Sequence, residues 1–354
     1  MPLPRAALLA CTLSLAVFLL ATAPARAEVT LLIPSRTSID APADKKDAQA
    51  ARPDGQARKQ AREGKNAEHK DSQERKAAPA GKDGKATAET DGQTPAEGAT
   101  ATDSGATEGP QPAPLDEEVD MLISLMRPRE HAALPMDMPQ LFAALRYDAQ
   151  TRAVNGNPQP ERRDLLGDME ESLYLDVRAW GANVAIDKAG LYQFITETRP
   201  RYNAERRCFE QQYVKSILPV CGEEEGWDRR AGLRLEILPL TRPFGLVPGS
   251  CFAGMAVGPE GPLDHARVYM DRIRTEKKPA RPSWQHDLEA RTDDGGRFVF
   301  IPNAPGWWCC VVEVPGQPLK GPDGQPTPLT VGSVLWLYVD AQDLPEKPAK
   351  AAAK

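Results

Sequence analysis

Four histidines are spread along the chain, at positions 69, 131, 265 and 286, and His131 lies in the best candidate cluster. His131 directly follows Glu130, and Asp137 stands in the same segment. Imidazole nitrogens and carboxylate oxygens are the donors that nickel and cobalt accept. Glu130, His131 and Asp137 are therefore a candidate metal cluster, with an exposed loop as the alternative. Met121, Met126, Met136 and Met138 crowd into the same stretch. Thioethers select soft ions such as cuprous copper, but they also fill irregular core gaps, and packing is the expected role here. His265 and His286 sit in polar turns and read as surface residues, and His69 lies in a low-complexity stretch. The acidic run Glu223-Glu224-Glu225 reads as a solvated loop.

Signatures of catalysis are missing. The sequence has no Gly-x-Ser-x-Gly elbow, no His-Glu-x-x-His pair and no phosphate loop. No enzyme activity is expected. The formal net charge of -6 is small for 354 residues, and no basic patch interleaves with aromatics, which argues against a nucleic-acid partner.

The amino terminus carries an address. Arg5 precedes an apolar run from Ala6 to Ala21, Pro24 breaks it, and Ala25-Arg26-Ala27 has the spacing of a cleavage site. This order marks residues 1–27 as a secretory signal and Glu28 as the first residue of the mature chain. No later segment is apolar enough to span a bilayer. The expected location is the periplasm. Cys11 leaves with the signal, and Cys208, Cys221, Cys251, Cys309 and Cys310 remain. An oxidising compartment permits disulfides. Cys208 with Cys221 across a short loop, and Cys251 with Cys309 or Cys310, are the candidate pairings.

The elements that would position these residues are strands. Residues 28–40 open with a short β-prone run. Residues 41–115 hold Ala, Lys, Asp, Glu, Gly, Gln, Thr and Pro almost exclusively, too little apolar surface to offset ordering entropy, so they read as a disordered spacer. Residues 341–354 read as a disordered tail. Between them, Leu173, Leu175, Val177 and Ala179 alternate with polar residues and read as one strand. Further strands are expected at 190–195, 233–238, 250–257, 266–273, 297–301, 307–314 and 331–340. Trp307 and Trp308 should face opposite sides of theirs. Short strands separated by Gly/Pro turns predict an all-β protein of two immunoglobulin-like β-sandwich domains, at 119–232 and 233–340. The disordered insert then lies near the amino terminus, with 28–33 as a candidate edge strand.

Several blocks carry a resemblance. Arg199-Pro200-Arg201-Tyr202-Asn203, Cys208-Phe209-Glu210, Gly226-Trp227-Asp228 and the run from Pro239 to Leu246 are similar to an exported nickel-uptake family. That family is a domain-of-unknown-function group linked to periplasmic components of nickel and cobalt transporters. The resemblance implies an accessory protein that binds a nickel or cobalt ion and docks on membrane metal-transporter subunits. It also implies ligands at the mature amino terminus, which here is Glu28, and at a His-Pro-x-Glu step, which here reads Arg127-Pro128-Arg129-Glu130. The implied metal set is Glu28, Glu130, His131 and Asp137. The replacement of histidine by Arg127 gives the alternative: a periplasmic structural or protein-interaction module that keeps the fold without the metal.

Overall fold

The computed structural model describes residues 28–41, 115–149, 151, 153–154, 157–275 and 288–342. The expected signal at 1–27, nearly all of the expected spacer at 41–115, the end of the expected tail at 341–354, His69 and His286 lie outside the described residues. What is described is all-β, in several largely antiparallel sheets.

Three sheets stack. The first contains β1 (Val29–Pro34), β2 (Glu117–Arg127), β3 (Ala132–Leu134), β8 (Glu170–Tyr174) and β9 (Val177–Ile186), in the order β1-β2-β9-β8 with β3 beside β2. The central sheet has nine strands: β4 (Leu141–Tyr147), β7 (Glu161–Asp164), β10 (Gly190–Glu197), β11 (Arg201–Asn203), β12 (Cys208–Val220), β16 (Arg267–Arg272), β17 (Leu288–Arg291), β19 (Gly306–Lys320) and β20 (Pro326–Val339). Its order is β17-β16-β19-β20-β12-β10-β4-β7, with β11 on β12. The third sheet joins β13 (Glu236–Pro239), β14 (Phe252–Gly258), β15 (Gly261–Pro262) and β18 (Arg297–Phe300). A small hairpin pairs β5 (Ala153–Val154) with β6 (Asn157–Pro158).

Side-chain alternation puts an apolar row on each face of the central sheet. Phe194, Val214, Val311 and Trp336 enter a first core with Leu31, Met121, Ile123 and Val184 of the first sheet. Their neighbours Ile195, Tyr213, Val312 and Leu337 enter a second core with Ile237, Phe252 and Phe298 of the third sheet. Trp307 packs on the first core and Trp308 in the second, as the alternation requires. Three of the four clustered methionines, Met121, Met126 and Met136, are buried in the first core, and Met138 packs against it.

The central sheet crosses the expected boundary between residues 232 and 233. β12 runs parallel to β20 from Phe209↔Leu329 to Ser216↔Trp336, so strands from both sides of the boundary share one hydrogen-bonded sheet. Residues on both sides belong to one compact unit, together with the β1 segment. A second departure concerns the alternating run at 173–179. It is not one strand but a hairpin, because Leu175 (φ 50°) and Asp176 (φ 62°) turn the chain between β8 and β9. Positive φ at both central positions is the geometry of a two-residue hairpin turn, and Leu there carries no sequence signal for it. Leu173 and Leu175 are exposed as a result.

The five cysteines among the described residues are unpaired. Cys208 begins β12 and Cys221 follows its end, on the order of 40 Å apart at strand rise, whereas a disulfide needs Cα atoms within about 7 Å. Cys309 lies in the first core, on the face of β19 turned away from the sheet whose β14 follows the exposed Cys251. Burial pushes the thiols of Cys309 and Cys310 well above their ordinary pKa, which keeps both protonated and inert.

One buried ion pair ties the central sheet to the third. Lys215 on β12 donates to Glu236 Oε1 on β13 at 2.7 Å, and the backbone N–H of Ala231 donates to the same oxygen at 2.7 Å. Both side chains are almost fully excluded from solvent. Removing one partner strands the other charge. Lys215→Met is expected to cost about 3–5 kcal/mol in urea unfolding. The double variant Lys215→Met/Glu236→Leu is expected to cost clearly less than the sum of the singles; strict additivity would show that the two charges do not interact.

Candidate functional site

The register of β1 on β2 builds a polar corner. Val29 pairs with Met126, so Glu28, one residue outward, falls opposite Arg127. Glu28 is only 4% exposed. Arg127 donates to Glu28 Oε1 at 2.7 Å and to Glu205 Oε1 at 3.0 Å, and Arg201 on β11 hydrogen-bonds the other oxygen of Glu28. The network continues through Arg201 to Glu210 Oε2 (3.3 Å), Asn203 to the same oxygen (3.1 Å), and Arg206 to Glu210 Oε1 (2.8 Å) and to both oxygens of Glu313 (3.0 and 3.1 Å). Four carboxylates thus face three guanidinium groups. Burial works against the charges on Arg127 and Arg206, but their carboxylate partners outweigh it and raise both pKa values. Burial also pushes Glu210 up, while Asn203 and Arg206 pull against it.

The same corner closes the exposed edge of β1. Gln212 donates its amide to the Glu28 carbonyl and accepts the Thr30 N–H, both at 2.7 Å. Trp336 donates Nε1 to the Thr30 carbonyl at 2.8 Å. Side chains of the central sheet thereby satisfy backbone groups that a neighbouring strand would otherwise take.

Beside this network lies a cavity of about 30 Å³, lined by Thr30, Leu125, Met136, Asp137, Thr198, Arg199, Arg201, Glu210 and Gln212. Thr30 Oγ1, on a residue 1% exposed, has no hydrogen-bond partner among the described residues. The space suits one or two waters and is far below that of an organic-ligand site.

The expected metal residues are distributed as follows. Glu28 is held by Arg127 and Arg201. Asp137 is exposed and accepts from Arg178 at 2.7 Å. His131 sits in a turn with φ 48°, its Nε2 3.4 Å from the Tyr174 hydroxyl. Glu130 is exposed. Ligand atoms from three of these four do not gather within 4.8 Å; among the described residues only Asp264, His265 and Asp294 do so. Those three are exposed, on two turns that Thr292 ties together by accepting from Ala266 N–H (2.8 Å) and donating to the Leu263 carbonyl (2.5 Å). Sequence spacing gave no sign of this trio, because Asp294 comes from a different turn. The adjacency of positions 28 and 127 was equally invisible until the register placed them.

The fold and the corner define a class: an all-β protein of stacked sheets whose conspicuous polar feature is an arginine–carboxylate network. The chain belongs to the family described as Domain of unknown function (DUF4198), which it matches over residues 106–316. Glu28, β1 and β20 lie outside the matched span. No curated protein matches the chain. Among solved structures it is similar to trypsin-activated alpha-2-macroglobulin from Escherichia coli, with 12% identity and a TM-score of 0.16, over 64% of this chain and 15% of that one. No helix among the described residues is long and apolar enough to cross a membrane.

Two outcomes test the site. Arg127→Ala leaves Glu28 buried with one guanidinium and is expected to cost about 2 kcal/mol. Arg36→Ala, which removes the exposed Arg36–Glu117 pair, is expected to cost about 0–1 kcal/mol. Urea unfolding of both variants gives the comparison, and equal losses would contradict it. His265 is expected to titrate above the ordinary 6.5, because Asp264 stabilises its protonated form. In an NMR pH titration Asp264→Asn should bring it back down.

Proposed function

We propose that this protein is an exported, non-enzymatic β-sandwich module that works in the periplasm by contacting a partner, membrane-transporter subunits being the partner class that the family resemblance suggests. In this reading it acts without a metal ion at Glu28. The observation that carries the reading is the pairing of Glu28 with Arg127 and Arg201. A carboxylate that would serve a divalent cation already has its positive charge from two guanidinium groups, and a metal would have to displace both. Export is supported by the order of residues 1–27, and the lack of a catalytic role by the lack of catalytic motifs.

A second reading keeps the metal and moves it. Asp264, His265 and Asp294 offer one imidazole and two carboxylates within 4.8 Å, a donor set that suits nickel or cobalt. This favours an accessory role in nickel or cobalt uptake with a surface site.

Calorimetric titration of nickel and cobalt into the chain beginning at Glu28 separates the readings. The first predicts no saturable heat and an unchanged melting temperature, since a ligand bound only by the folded state raises it. Binding abolished by His265→Ala establishes the second. Micromolar binding abolished by His131→Ala would overturn both and restore a metal centre at the amino-terminal corner.

A further inference from the structure

β12 and β20 part company at one end of the central sheet. Their parallel ladder ends at Ser216↔Trp336. Beyond it β12 continues to Val220 against β10 alone, and β20 continues to Val339 against β19 alone. Pro219 explains the break. Its carbonyl points away from β10 and accepts from the Ile39 N–H at 3.1 Å, so its missing N–H lies on the side where β20 would pair. Each released strand is instead touched by a loop, through the parallel bridges Ile39↔Val220 and Leu246↔Val339.

The result is a cleft of about 240 Å³ at a place where the sheet opens. Trp307 and Trp336 reach it from the side of the first core, and Ile217 and Phe244 from the side of the second. The rings of Trp307 and Tyr338 lie 5.2 Å apart at 63°, forming a concave aromatic corner. Arg242, Glu224 and Asp340 also line the cleft. Arg242 is aimed by two contacts, a 2.8 Å hydrogen bond to Glu224 and a position 5.5 Å from the Phe244 ring centre.

We propose that this cleft binds a sugar ring of an oligosaccharide. A pyranose has an apolar face of C–H groups and a rim of hydroxyls that both donate and accept. An aromatic corner covers the first, and the guanidinium of Arg242 with the carboxylates of Glu224 and Asp340 serves the second. Other classes fit less well. The charge of Arg242 is already balanced by Glu224, so an anion gains little, and Arg242 over Phe244 opposes an incoming cation. The volume is close to the lower end of small-molecule sites, about 300 Å³, and holds a ring rather than a folded segment.

The test is titration of the chain beginning at Glu28 with triacetylchitotriose and with maltotriose, read by tryptophan fluorescence and calorimetry. At least one sugar should bind saturably. Trp307→Ala should weaken it about tenfold or more. Arg242→Ala, a change at an exposed side chain that leaves the fold intact, should weaken it as well. Absence of saturable binding by either sugar overturns the proposal, as does binding that both variants leave unchanged. A decaproline peptide that binds with loss in both variants, while neither sugar binds, would assign the cleft to proline-rich peptide instead.

Discussion

From Phe209 to Ser216 β12 lies parallel to β20, and this ladder joins the two halves of the chain. A parallel neighbour cannot be reached by a tight turn, so after residue 220 the chain has to cross over before β20 can run alongside β12. That intervening chain supplies the third sheet, and also β16, β17 and β19, which extend the central sheet beyond β20. The central sheet is then covered on both faces, and its strands carry apolar side chains on both. Residues 211–220 of β12 show it: nearly every one is buried. The ladder therefore fixes the cores, and the cores fix where polar groups have to find partners.

Several polar groups that the layers enclose are met by one another. Lys215 meets Glu236 between the central and third sheets. Gln212 and Trp336 reach across from the central sheet to the open edge of β1. The arginine–carboxylate network at Glu28 performs the same service at the corner where β1 begins. Such a network is costly to break one member at a time, since each remaining charge has lost access to water. It also surrounds Glu28 with guanidinium groups, which links the packing of β1 directly to the question of metal binding. The opposite end of the β12–β20 ladder behaves differently. There Pro219 removes a donor, the strands separate, and aromatic rings are left facing a cleft.

Much of the fold was legible. The period of two, the Gly/Pro turns and the β-branched and aromatic runs marked strands at 190–195, 297–301 and 307–314, and the structure has them as β10, β18 and part of β19. The Trp307-Trp308 step announced its two faces. The hairpin at Leu175-Asp176 was hidden, because its turn residues preserve the alternation and lack Gly or Asn. The length of β12 was hidden too, and with it the separation of Cys208 from Cys221. Of the site, the importance of positions 28 and 127 could be read only as unusual residues, and the trio of Asp264, His265 and Asp294 could not be read at all.

The division has a physical basis. Local periodicity and turn chemistry depend on near neighbours in the chain, so the sequence by itself determined that this protein is built of strands, which side chains alternate, and that its methionines belong to packing. Register, sheet order and the contact of distant turns depend on pairings across tens to hundreds of residues, and no local pattern encodes them. Only the tertiary structure decided that Glu28 stands against Arg127 and Arg201, that both halves share one sheet, and that the sheet opens beside Pro219.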